Sequence, residues 1–163
     1  MEHKESIYPK EKKELYRLLH AQLAELITGI PHETANLANA SALLYHAMEC
    51  VNWAGFYVME EDRLVLGPFQ GKPACIEIPV GRGVCGTAAL RETPVVVEDV
   101  HLFPGHIACD AVSRSEIVIP VHVRGKLYGV LDIDSPQPGR FEEADLEGLT
   151  EFVHILERDG NLG

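Results

Sequence analysis

A chain of 163 residues has room for one domain with a substantial core and too little for two ordinary ones. Its 46% hydrophobic and 24% charged residues match a globular composition and exclude a disordered or fibrous chain. The 14 Lys and Arg against 25 Asp and Glu leave a formal charge of −11, which repels a phosphate backbone; with no basic stripe, nucleic acid is excluded as a partner.

The start, Met1-Glu2-His3-Lys4-Glu5, carries no apolar stretch of the signal-sequence kind, and no later run is long enough to span a bilayer. The expected location is the cytoplasm, with no membrane partner. Residues 11–28 place Leu15, Leu18, Leu19, Leu23, Leu26 and Ile27 at helical spacing, stopped by Gly29 and Pro31. A second helix is predicted from Glu33 to Cys50, with Cys50 read as core. From Asn52 the period becomes two: Trp53, Gly55 and Tyr57 point one way, Ala54, Phe56 and Val58 the other. A turn at Glu60-Glu61-Asp62-Arg63 joins this strand to a second, Leu64–Phe69, and Ile76–Val80 reads as a third.

Gly81-Arg82-Gly83 breaks the chain before a helix over Val84–Arg91 and a strand over Pro94–Glu98. This glycine-rich turn lacks the Lys-Ser/Thr ending of a phosphate loop. Asp99–Ser113 shows no period and contains Pro104 and Gly105, so it is a long loop of the sort that carries function. Ser115–Val123 and Lys126–Ser135 flank Arg124-Gly125 as a second hairpin, and an amphipathic helix spans 142–158. The fold class is α+β: one domain over 1–163, with N-terminal helices in 11–50 and a six-stranded, largely antiparallel sheet with its loops in 51–136. Helices pack on one face, and loops close a pocket on the other.

Cys75, Cys85 and Cys109 all sit in Gly- or Pro-bearing connections, a placement that suits chemistry better than structure in a reducing compartment. Their spacing lacks the paired knuckles of a structural zinc site, and no metal is expected. Cys109 lies beside Asp110, with His106 and Arg114 nearby as cationic neighbours that would favour a thiolate. Cys75 lies on another exposed-looking connection, so a nucleophile with a resolving partner is one reading. Cys85 reads equally as a thiolate favoured by a helix start and as a small buried hydrophobe.

Asp132 and Asp134 leave the same face of one strand, where like charges crowd and drive protonation unless a cation arrives. Glu116 opens the neighbouring strand, so the three acids could converge to hold a cationic group and supply a proton. A solvated strand end is the plainer alternative. Trp53 and Tyr57 share a face with Gly55 between them, leaving a gap with aromatic walls; ordinary core packing is the alternative there.

Asn52-Trp53-Ala54-Gly55-Phe56-Tyr57, Leu66 through Cys75, Gly81 through Ala88, Phe103 through Glu116 and Gly129 through Ser135 closely resemble the free methionine-(R)-sulfoxide reductases, which are stand-alone GAF domains. The resemblance implies reduction of the free amino acid's sulfoxide, with Cys109 attacking sulfur and Cys75 resolving the sulfenic acid as a disulfide. Thioredoxin then reduces that disulfide, and no bound cofactor is implied. It further implies that Glu116, Asp132 and Asp134 bind and activate substrate, that Trp53 and Tyr57 enclose its methyl group, and that Cys85 is the third family cysteine. A homodimer is a family expectation. Two other readings stand beside it: a GAF module that senses a small ligand without turning it over, and a thiol peroxidase or redox sensor.

Overall fold

The computed structural model describes residues 7–106 and 111–163. Two helices open the chain, α1 (Lys12–Ile27) and α2 (Glu33–Ala47), followed by β1 (Trp53–Glu60), β2 (Arg63–Gly71) and β3 (Glu77–Pro79). Then come α3 (Gly83–Arg91), β4 (Val95–Val97), a 3-10 turn at Val100–Leu102, β5 (Ser115–Val123), β6 (Lys126–Ser135) and α4 (Glu143–Asp159). The strands form one six-stranded sheet in the order β3-β2-β1-β6-β5-β4, every neighbouring pair antiparallel.

Alternation along the strands sorts the apolar side chains into two layers. Ala54, Phe56, Ile117, Ile119, Leu131 and Ile133 meet Leu19, Leu23, Leu44, Phe152 and Leu156 from α1, α2 and α4. Each fully buried Leu here contributes roughly 2 kcal/mol. Trp53, Tyr57, Val118 and Val130 face the other way, onto Val84, Cys85 and Ala88 of α3. Helices therefore cover both faces: the one-sided arrangement expected from sequence holds for α1, α2 and α4, while α3 lies on the pocket side. Gly86 permits that placement, because a Cβ there would come within 2.5 Å of the Pro79 carbonyl.

Helix α4 begins with a capping box, Glu142 and Asp145 each accepting from the other's backbone N–H. Asp145 is buried, and Lys12 Nζ and Tyr16 Oη both donate to it at 2.6 Å. These bonds tie α1 to α4 at the foot of the helical layer. Helix α2 stops at Ala47, short of the predicted Cys50. Cys50 itself has φ +55 and is exposed, so the core placement expected for it is wrong. The helical period continues to Met48, and nothing in composition marks the reversal just beyond it.

Register matters most on β5 and β6. Arg124 and Gly125, with φ +51 and +75, form the two-residue turn that a right-twisted hairpin prefers. The first pairs are Val123 with Lys126 and His122 with Leu127, then Val121 with Gly129, leaving Tyr128 as an extra residue on β6. An uninterrupted ladder from that turn would pair Glu116 with Ile133 and put Glu116 on the face opposite both aspartates. With the bulge, Glu116 pairs with Asp134.

Candidate active site

On the pocket face, Trp53, Asp134 and Glu116 form one cross-strand row, and Gly55, Asp132 and Val118 the next. Side chains directly opposite in such rows are about 5 Å apart at Cβ. The three acids thus converge as the strand pattern suggested, at the floor of a cavity of about 50 Å³ walled by Trp53, Tyr57 and Cys85. Glu116 is 7% exposed, Asp132 5% and Cys85 4%. The solvated strand end is excluded for Glu116 and Asp132.

Burial, then the charges of Asp132 and Asp134, push the Glu116 carboxyl well above its ordinary value. Asp132 is also raised, by burial, but hydrogen bonds from Glu116 and Cys85 work against the rise. Both buried carboxyls are thus pushed toward holding a proton, Glu116 with the added push of two neighbouring charges. Among the described residues, Asp132 Oδ1 is buried with no hydrogen-bond partner. An uncompensated buried acceptor of this kind is costly, and a ligand donor or cation would relieve it.

The first turn of α3 sets Cys85 Sγ 4.0 Å from Glu116 Oε2. Burial first, and the surrounding carboxylates second, raise its thiol well above the usual range. The helix start does not make it a thiolate. Cys85, Glu116 and Asp132 nonetheless place one ligand atom each within 4.8 Å of one another. The spacing argument against a metal missed this trio because its members come from three separate elements.

Trp53 and Tyr57 stack at 5.9 Å, and Phe69 stacks on Trp53 at 5.1 Å. The gap expected beside Gly55 does not exist: a Cβ there would lie 2.2 Å from that of Phe69, which fills the space. The aromatic wall is continuous, and its polar ends do separate work. Trp53 Nε1 donates to the Lys72 carbonyl at 3.1 Å and Tyr57 Oη to the Cys75 carbonyl at 2.9 Å. Burial, then the charge of Asp132, raises the Tyr57 hydroxyl, keeping it a donor.

Cys75 is disulfide-bonded, whereas Cys50 and Cys85 are free thiols. Cys109 and Asp110, the expected attacking thiol and its neighbour, lie outside the described residues. Around them, Asp99 accepts from His101 N at 3.0 Å and pairs with Arg114 at 3.4 Å. His106 lines the cavity, and burial, then the charge of His101, lowers its pKa, so near neutral pH it is a base and not the cation proposed for the loop. Asn52 Nδ2 donates to Ser113 Oγ at 3.1 Å, tying β1 to the end of that loop. Sequence reading missed Phe69, Lys72 and Ser113 as site elements. The β1–β2 register could have exposed Phe69, but the other two make their contacts in loops that carry no period.

Together, a curled antiparallel sheet, helices on both sides and an acid-floored cavity define a GAF domain, and residues 19–158 match the family model described as GAF domain. The chain is 55% identical over 147 residues to the free methionine-R-sulfoxide reductase of Escherichia coli, covering 90% of this chain and 89% of that one. A free methionine-R-sulfoxide reductase of Neisseria meningitidis, solved in complex with its substrate, superposes with TM-score 0.90 at 43% identity, over 94% of this chain and 93% of the other. The structure of fRMsr of Staphylococcus aureus in complex with substrate gives 0.85 at 51% identity, over 88% and 94%. The chain belongs to the free methionine-R-sulfoxide reductase family of GAF domains. Among the described residues no helix is long and apolar enough to cross a membrane.

Proposed function

We propose that the protein reduces free methionine (R)-sulfoxide to methionine with Cys109 as nucleophile, Cys75 as resolving thiol and thioredoxin as the external reductant. The Cys109 thiolate attacks the sulfoxide sulfur while Glu116 protonates the oxygen, without which that oxygen is a poor leaving group. Oxygen passes to Cys109 as a sulfenic acid, and the sulfide leaves as methionine. The Cys75 thiol then attacks the sulfenic sulfur, water departs, and a disulfide remains. Two electrons from the thioredoxin dithiol restore both thiols.

The observation that carries this reading is the cluster of Glu116, Asp132 and Asp134 from two adjacent rows on the cavity floor, the first two buried. A protonated acid beside a carboxylate can donate to the sulfoxide oxygen and pair with an α-ammonium at once. A peptide-bound methionine sulfoxide lacks that ammonium. The disulfide at Cys75 supports its resolving role, which a ligand-sensing module would have no use for.

The test mixes reduced protein and a thioredoxin system with free methionine (R)-sulfoxide, its (S) epimer and a sulfoxide-containing peptide, and follows methionine formation. Turnover confined to the free (R) epimer, abolished in Cys109→Ser, is the expected result. Equal turnover of all three, or none, overturns the assignment.

A further inference from the structure

We propose that the cavity floor is also a binding site for a thiophilic divalent cation of the Zn²⁺ type, held by Cys85 Sγ, Asp132 and Glu116. The donors already lie within 4.8 Å of one another. In tetrahedral zinc sites, Zn–S near 2.3 Å and Zn–O near 2.0 Å put sulfur and oxygen about 3.5 Å apart. Cys85 Sγ and Glu116 Oε2 are 4.0 Å apart, so that pair reaches the tetrahedral separation with a shift of about half an ångström, and the trio, spread over no more than 4.8 Å, closes around an ion by side-chain adjustment.

A second observation points to a ligand independently. Asp132 is 5% exposed, and its Oδ1 sits in this cavity wall with no donor among the described residues. A cation there satisfies that oxygen and neutralises the crowded carboxylates together, and coordination itself deprotonates a thiol. The donor set selects the metal class. One sulfur with two carboxylates in a cavity of about 50 Å³ suits a small, borderline-soft ion with three protein ligands and a water, and not the oxygen-only shells of six or more ligands that calcium requires.

Metal at this position occupies Glu116 and Asp132, so it inhibits turnover; that consequence rests on the reductase reading above, whereas the binding does not. The probe is Co²⁺ added to the disulfide-bonded protein carrying Cys50→Ser, in which Cys85 is the free thiol left among the described cysteines. One equivalent should bind with a thiolate-to-cobalt band in the near ultraviolet, displaced by Zn²⁺. The band should vanish in Cys85→Ser, and affinity should fall at least tenfold in Asp132→Asn.

No band in the parent protein, or a band that survives Cys85→Ser, overturns the metal site. Reversible inhibition by Zn²⁺, relieved by a chelator, is the expected kinetic result; bound Zn²⁺ that leaves turnover intact overturns the inhibitory role. Absence of turnover in metal-free protein speaks against the reductase reading alone, because the spectroscopic test does not depend on it.

Discussion

Replacing Glu116 by Gln should make the protein more stable above mildly acidic pH and far less active. The Glu116 carboxyl, raised by burial and by Asp132 and Asp134, keeps its proton in the folded state where the unfolded chain releases it near the ordinary value of 4.5. Folding stability is therefore fully present below that pH. It is lost as pH rises toward the folded carboxyl's own pKa, at about 1.4 kcal/mol per pH unit. For a chain of this size each kcal/mol moves the melting temperature by about 2–4 °C, so the slope is about 3–6 °C per pH unit. Gln keeps the shape and a donor toward Asp132 and Asp134 but does not titrate, so the slope attributable to this site should disappear.

Urea unfolding of both proteins in the disulfide-bonded form, at half-unit steps from pH 4 to 7, measures the difference. The two should be nearly equally stable at pH 4, with the variant pulling ahead as pH rises. On the proposed mechanism the same substitution removes the general acid, a contribution of about 10²- to 10⁴-fold in rate. Parallel stability curves across this range would refute the protonated, buried Glu116. A gain in stability coupled to loss of activity is what a strained acid cluster kept for chemistry produces.

Tyr57→Phe removes the bond that anchors the Cys75 carbonyl. One neutral hydrogen bond is worth about 1 kcal/mol, so disulfide formation after a single turnover should slow about fivefold and the sulfenic acid should accumulate. Trapping that intermediate with a sulfenate-specific reagent checks the expectation, and an unchanged rate counts against the tether. Asp145→Ala strands Lys12, Tyr16 and Arg140, which converge on its buried carboxylate. The loss should be about 3–5 kcal/mol in denaturant unfolding, with the activity of the folded fraction unchanged.

Much of this architecture was legible in the sequence because the signals are local. The apolar spacing of Leu15, Leu19 and Leu23 fixes the buried stripe of α1, and the alternation from Trp53 onward fixes which residues of β1 share a face. That Asp132 and Asp134 point the same way follows from strand geometry alone. The expectations that failed were those needing a neighbour. Gly55 suggested an open gap, yet Phe69 from the adjacent strand fills it. Cys50 continued an apolar helical pattern, yet the chain reverses after Ala47 and leaves it exposed.

The sequence by itself determined the order of elements, the two faces of each strand, and the residue types on which sulfoxide chemistry depends. Tertiary structure decided which of those residues meet. A period of two specifies alternation within a strand but not its phase against the next, and the extra residue Tyr128 on β6 supplies the phase that places Glu116 beside Asp134. Likewise Cys85 becomes part of the acid cluster because Gly86 lets α3 approach β3 closely. Proton affinity in that cluster depends on burial and on charges from three elements, a sum that no stretch of sequence contains.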